Sequence, residues 1–220
     1  MSAPHDPDAR DDTGTGGDGP DEHGPEEHGP EEHGPTPPAA RRFIALPLPR
    51  DVRTRLAAAL PDDPGLTGGL RWARPEGWHA TIAFLGEVPD ALVAPLVDAV
   101  DAAIAAAPAP EELTVTEAGR FGRAVLWVAL QDAPAGSLAA LAAAVRRAVD
   151  TTGLPVDRKP FRAHVTLARG GQRNITSRLV AACAVPEGLR WRPQAIEVWR
   201  SYLGRGPARY ESEARIPLRA

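Results

Sequence analysis

The 220-residue sequence has little cysteine, little lysine, few histidines and no long hydrophobic run. Its lone thiol, Cys183, excludes a disulfide within the chain and fits a reducing compartment. No apolar stretch approaches the roughly 20 residues of a membrane-spanning helix. The start, Met1-Ser2-Ala3-Pro4-His5-Asp6, has neither the basic nor the apolar region of a signal peptide. These absences predict a cytoplasmic protein with no membrane partner. Lys159 is the single lysine, so nearly all positive charge is arginine, the better planar partner for phosphate. A GC-rich coding sequence also yields Arg and Ala in excess, and that is the reading taken for most of these arginines. Of six histidines, four (His5, His23, His28, His33) precede residue 40.

Charge is divided as unevenly as histidine. The first 40 residues hold eleven Asp and Glu against one Arg, whereas the remaining 180 hold 24 basic and 18 acidic residues, a net of +6. The overall charge of −4 hides a basic body suited to an anionic ligand. The acidic segment repeats Glu22-His23-Gly24-Pro25-Glu26 as Glu27-His28-Gly29-Pro30-Glu31 and again from Glu32. Such Pro, Gly and acid content buries too little apolar surface to offset chain entropy. Residues 1–40 are therefore predicted to be a disordered tail, and residues 41–220 a folded domain. Three spaced histidines could hold a metal weakly, and the tail's charge could compete with nucleic acid for the basic body; a solvated tail accounts for both features more simply.

The two remaining histidines sit in near-identical surroundings. Trp78-His79-Ala80-Thr81-Ile82-Ala83-Phe84 is echoed by Ala163-His164-Val165-Thr166-Leu167-Ala168. Both read His-x-Thr-aliphatic within short β-prone runs. Side chains alternate along a strand, so each motif offers an imidazole and a hydroxyl on one face and apolar residues on the other. One such histidine alone would be read as structural, hydrogen-bonded to backbone. Two in the same local pattern point to a functional pair, with Thr81 and Thr166 as phosphate ligands. No Cys, His or carboxylate stands at ligand spacing from either histidine, so neither a metal nor another cofactor is expected.

This pairing resembles the 2H phosphoesterase superfamily, and within it the bacterial RNA 2′,3′-cyclic phosphodiesterases, also called the 2′-5′ RNA ligase family. Arg42-Phe43-Ile44-Ala45-Leu46 looks like that family's opening strand. Pro75 to Glu87 and Phe161 to Arg169 look like its two signature stretches, with Ala163 where Pro is more usual. The similarity spans residues 41–220. It implies an α+β, two-lobed 2H phosphoesterase (LigT-like) fold, with antiparallel sheets flanked by helices about a central cleft. It further implies hydrolysis of RNA 2′,3′-cyclic phosphodiester ends to 2′-phosphomonoesters, with His79 as proton donor and His164 as acceptor. Two imidazoles can act as general acid and base near neutral pH, with ordinary pKa values around 6.5. The expected partners are RNA ends or small cyclic-phosphate nucleotides, met by a monomer. The alternatives are the same chemistry on cyclic-phosphate nucleotides or 2′-5′-linked oligonucleotides, and a non-catalytic nucleotide-binding relative.

Periodicity and breakers predict the elements. Strands are expected at Arg42 to Leu48, Leu70 to Ala73, Trp78 to Leu85 with Gly86 as its stop, Leu113 to Ala118, Ala124 to Leu130 and Phe161 to Ala168. Helices are expected at Asp51 to Leu60, from Pro89 to about Ala107, from Leu138 to Val149 behind an N-cap at Ser137, and from Ile175 to Ala182. Pro61 to Gly69 is read as loop, and Ala195 to Leu203 with Tyr210 to Leu218 as a closing hairpin. Trp72, Trp78, Trp127, Trp199 and Tyr202 could stack a base, although core packing is the ordinary role of each. Arg162 and Arg169 flank the second motif, where surface solvation is the ordinary role. A straight strand would put Arg169 on the face opposite His164.

Overall fold

The computed structural model describes residues 38–204 and 207–219. The predicted tail lies outside them except for its last three residues. Of these, Ala39 and Ala40 already belong to strand β1, Ala39–Pro47, whose Ala40 is buried. There follow α1 (Arg50–Ala58), a short α2 (Pro64–Thr67), β2 (Arg71–Trp72) and β3 (His79–Pro89). Next come α3 (Val93–Ile104), the hairpin β4 (Glu112–Phe121) and β5 (Val125–Ala133), and α4 (Ser137–Thr151). The chain closes with β6 (His164–Arg169), α5 (Ser177–Ala182), β7 (Arg190–Trp191), β8 (Ala195–Tyr202) and β9 (Arg209–Pro217).

The strands form one sheet in the order β7-β4-β5-β6-β3-β1-β8-β9, with β2 attached to β6. Every pairing is antiparallel. The two motif strands are central neighbours, and a single bridge, Ala80 to Val165, joins them. Each therefore heads its own half: β3-β1-β8-β9 and β6-β5-β4-β7. This is the α+β, two-lobed arrangement expected. One core lies on the helix side, where Leu96, Val100 and Ile104 of α3 and Leu138, Leu141 and Val145 of α4 meet Ile82, Leu85, Val165 and Leu167.

Several local expectations change. Gly86 does not end β3. It takes φ of 70° and pairs with Arg42 at a register shift, so a glycine that reads as a stop is a bulge inside a longer strand. Pro89 consequently closes β3, and α3 begins at Val93 after a 3-10 turn over Asp90–Leu92. Ser137 is not the N-cap of α4. Gly136 holds that position at φ of 86°, and Asp132 from β5 accepts from the Leu138 amide at 2.7 Å and from the Ser137 hydroxyl at 3.1 Å. A carboxylate borrowed from the preceding strand thus satisfies the helix start. Thr176 caps α5, accepting from the Leu179 amide, so that helix begins at Ser177. Two short elements, α2 within the predicted loop and β7, carry too few residues to show a period.

Arg42 is the one buried guanidinium among the described residues, 3% exposed. It donates to Glu213 on β9 at 2.5 and 3.0 Å, to Asp90 at 2.6 Å and to the Val88 carbonyl at 2.5 Å. One side chain thereby ties β1 to β9, to the end of β3 and to the 3-10 turn that leads into α3.

Candidate active site

The face of β3 and β6 turned away from the helices lines a cleft of about 870 Å³. His79, Thr81, His164 and Thr166 all open onto it and are all half-buried. The structure brings the four predicted site residues together. The Ala80–Val165 bridge sets their mutual positions, because one step to either side puts His79 across from Thr166 and Thr81 across from His164. Each imidazole thus neighbours the other motif's hydroxyl. Neither threonine hydroxyl has a hydrogen-bond partner among the described residues.

Both imidazoles are oriented in the same way. His79 Nδ1 lies 2.6 Å from the Gly77 carbonyl, and His164 Nδ1 lies 2.8 Å from the Arg162 carbonyl. A carbonyl can only accept, so each Nδ1 carries a proton and Nε2 is left for the cleft. Aromatic rings wall in both. Phe43, Trp199 and Tyr210 lie with centroids 4.9, 5.0 and 5.3 Å from His79, and Phe121 and Trp127 lie 4.9 and 6.4 Å from His164.

The tighter box changes the acidity of His79. Burial, with smaller contributions from the positive charges of His164 and Arg169, pushes its pKa down to about 4, against the pull of the Gly77 carbonyl. The near-normal value expected from the sequence therefore does not hold for His79.

Matching bulges shape the rest. Ile82 is an extra residue in β3, between the pairs Ala45–Thr81 and Ile44–Ala83. Leu167 is the same extra residue in β6, between Trp127–Thr166 and Leu126–Ala168. Two consecutive side chains then enter the core (Ile82 and Ala83; Leu167 and Ala168), and the next one, Phe84 or Arg169, returns to the cleft. Arg169 is thus on the histidine face, contrary to the straight-strand expectation.

Eight basic residues line the cleft, and Asp157 is the one acid there among the described residues. Arg41, Arg71, Arg74, Arg162 and Arg169 make no ion pair among the described residues. Of the aromatic candidates, Trp72 lines the cleft, Trp78 is in the core, and Trp199 and Trp127 back the histidines. Tyr202 faces away from the cleft, between the Arg200 and Arg209 guanidiniums at 5.5 and 4.1 Å. Sequence reasoning missed Phe43, Phe84, Phe121, Tyr210, Arg71 and Arg74 as cleft residues. The bulge at Ile82 and the pairing of β1 with β3 bring Phe84 and Phe43 there, and no local pattern announces either. Among the described residues no three His, Cys, Asp or Glu side chains converge as a metal site.

Residues 50–205 match the profile of the 2′-5′ RNA ligase superfamily. An RNA 2′,3′-cyclic phosphodiesterase of Geobacillus stearothermophilus is 32% identical over 188 residues, which are 80% of this chain and 56% of that protein. The chain thus spans a little over half the length of this relative. A crystal structure from Thermus thermophilus is 27% identical with a TM-score of 0.62, covering 81% of this chain and 97% of that one. The E. coli LigT structure with 3′-AMP is 24% identical with a TM-score of 0.65, covering 82% and 99%. The fold and the two motifs define a 2H phosphoesterase. The chain belongs to the 2′-5′ RNA ligase superfamily.

Proposed function

We propose that the domain, residues 41–220, hydrolyses the 2′,3′-cyclic phosphodiester at RNA ends and leaves a 2′-phosphomonoester. The observation that carries this reading is the pair of imidazoles in one cation-lined cleft, each with Nδ1 tied to a carbonyl and Nε2 free. The name of the relative from G. stearothermophilus supports the same chemistry. Because both motifs of one chain complete one cleft, a monomer suffices. The buried Cys183, its thiol pushed up by burial, fits a cytoplasmic setting.

In this reading, water attacks phosphorus and His164 Nε2 takes its proton. The bond from phosphorus to O3′ breaks, and His79 Nε2–H gives its proton to O3′. The product carries phosphate on O2′ and a hydroxyl at C3′. Thr81, Thr166 and Arg169 supply donors and charge to the non-bridging oxygens, where negative charge accumulates. The anionic substrate beside His79 opposes the burial effect and lets it carry the proton that burial disfavours. Exchange with solvent then resets both rings. No metal takes part in this scheme, and full turnover after exhaustive chelation is its expected outcome.

Phosphorus NMR of the hydrolysis product provides the test. A 2′-phosphate is expected, whereas 3′-phosphate alone would reverse the donor and acceptor. No turnover of an RNA cyclic phosphate, with turnover of cyclic mononucleotides or 2′-5′ oligomers, would move the reading to one of those substrates.

A further inference from the structure

Apart from the short β2 beside β6, the two halves of the site match strand for strand except at their outer edges. In the first half the outermost strand, β9, has nine residues; in the second its counterpart, β7, has two. The extra length places Tyr210, paired with Ser201 of β8, at the cleft wall beside His79. No described residue occupies the equivalent place beside His164.

Tyr210 is closely fitted. Its ring meets His79 at 87° and Phe43 at 81°, edge to face in both cases. A Cβ on Gly77 would lie 3.1 Å from Tyr210 Cδ2, so the glycine leaves room for this ring. The Gly77 carbonyl is also the group that orients His79. The fit explains an aromatic ring, and phenylalanine would meet that need. It leaves the hydroxyl unexplained. The chain has two tyrosines, and Tyr202 gives its hydroxyl to Glu211 at 2.7 Å. The Tyr210 hydroxyl has no such partner among the described residues. It lies in the field of Arg169, and burial pushes its pKa up, so it stays a protonated donor at neutral pH.

We propose that the Tyr210 hydroxyl donates a hydrogen bond to the phosphoryl group of the ligand on the His79 side of the cleft. This rests on the phosphodiesterase reading above and adds a direct phosphoryl contact that neither motif contains. It also breaks the near-equivalence of the two histidines, since one hydroxyl serves one side.

The test compares wild type, Tyr210→Phe and Tyr210→Leu by two readouts. The first is kcat and KM on an RNA 2′,3′-cyclic phosphate. The second is the dissociation constant for inorganic phosphate, which needs no turnover. A hydrogen bond to a charged acceptor predicts a loss of about tenfold or more for Tyr210→Phe in kcat/KM and in phosphate affinity, with the His79 NMR titration unchanged. Tyr210→Leu also opens the ring box and raises the His79 pKa. Tyr210→Phe within twofold of wild type in both readouts overturns the proposal and leaves the phosphodiesterase reading standing. Wild type inactive on the cyclic phosphate, with phosphate affinity still falling in Tyr210→Phe, overturns that reading and retains the contact. Wild type that binds no phosphate overturns the contact whatever its turnover.

Discussion

Ala80 and Val165 face each other across the one bridge between the motif strands. Both side chains point into the core, so the residues before and after them point into the cleft. The bridge therefore locates an approximate twofold axis. It also makes each imidazole a neighbour of the opposite motif's threonine, so the site is assembled crosswise from the two halves.

That arrangement predicts comparable losses on either side. His79→Ala and His164→Ala should each lower turnover by roughly 10²–10⁴-fold, the usual contribution of a general acid or base. The core on the far face is untouched, so thermal unfolding should stay close to wild type. Steady-state kinetics with a melting curve on each variant checks both halves of the statement. Turnover within threefold of wild type in a folded variant would remove that histidine from the reaction.

The acidity of His79 has its own signature. His79 acts as a donor only while protonated, and in the free enzyme that proton leaves near pH 4, so one limb of kcat/KM should lie near 4. Bound anion raises the proton affinity, so the corresponding limb of kcat should lie at higher pH. The same shift links to stability. A folded-state value below the unfolded one means the unfolded chain takes the proton first. The stabilisation by neutral His79 is thus complete above about pH 6.5 and is lost as pH falls toward 4. Proton NMR of the ring, with pH profiles of both kinetic constants, decides it; a His79 ring that titrates near 6.5, with no limb of kcat/KM near 4, contradicts the burial effect.

Gly119 offers a steric test of the His164 side. A Cβ there would lie 2.3 Å from the Trp127 ring, and Trp127 backs His164. An alanine in a strand ordinarily gains over glycine, but Gly119→Ala should cost about 1–3 kcal/mol through overpacking. Turnover should fall with it as Trp127 is displaced. Urea denaturation and kinetics of this one variant give both numbers, and a stabilised, fully active protein would mean that Trp127 moves freely.

Arg42→Met isolates the ion-pair hub. It leaves Glu213, Asp90 and the Val88 carbonyl without their donor. The two carboxylates keep some water, so a loss of about 3 kcal/mol is expected, at the low end for a broken buried pair. A shift of the urea midpoint at unchanged slope measures it. No change would mean that solvent already serves these groups.

The acidic segment is expected to be dispensable for small substrates. Removing residues 1–36 keeps Pro38, whose carbonyl accepts from the Asp90 amide at 2.8 Å. Melting temperature and turnover of a cyclic mononucleotide or dinucleotide should be unchanged. A large drop in melting temperature would show that the segment packs on the domain.

The sequence made the histidine pair legible because strand alternation is a local rule, and His79 with Thr81 and His164 with Thr166 obey it over three residues. The β4–β5 and β8–β9 hairpins were legible for the same reason. What escaped depends on partners distant in sequence. Arg169 reaches the cleft because β6 carries a bulge against β5, and nothing in Leu167-Ala168-Arg169 announces it. Gly86 looks like a stop, and pairing with Arg42 makes it a bend. Ser137 looks like a cap, yet Asp132 does that work from five residues upstream. Tyr210 lies 131 positions from His79 and adjoins it through three intervening strand pairings.

The twin bulges also govern which changes in length the chain can accept. Each adds one residue to a strand of period two, so it reverses the parity of everything beyond it. Deleting Ile82 would leave Ala45–Thr81 and Ile44–Ala83 as consecutive pairs, so Phe84 and Leu85 would keep their faces. Deleting Leu167 would likewise leave Arg169 on the cleft face, whereas losing a residue away from the bulges would turn the far end of either strand over. The cost of either deletion is the buried side chain it removes from the core, and other changes in length should collect in the connecting loops, such as the one opened by Gly170 and Gly171, where no parity is at stake. Over evolutionary time, gains and losses of residues would gather in those loops and at the two bulges.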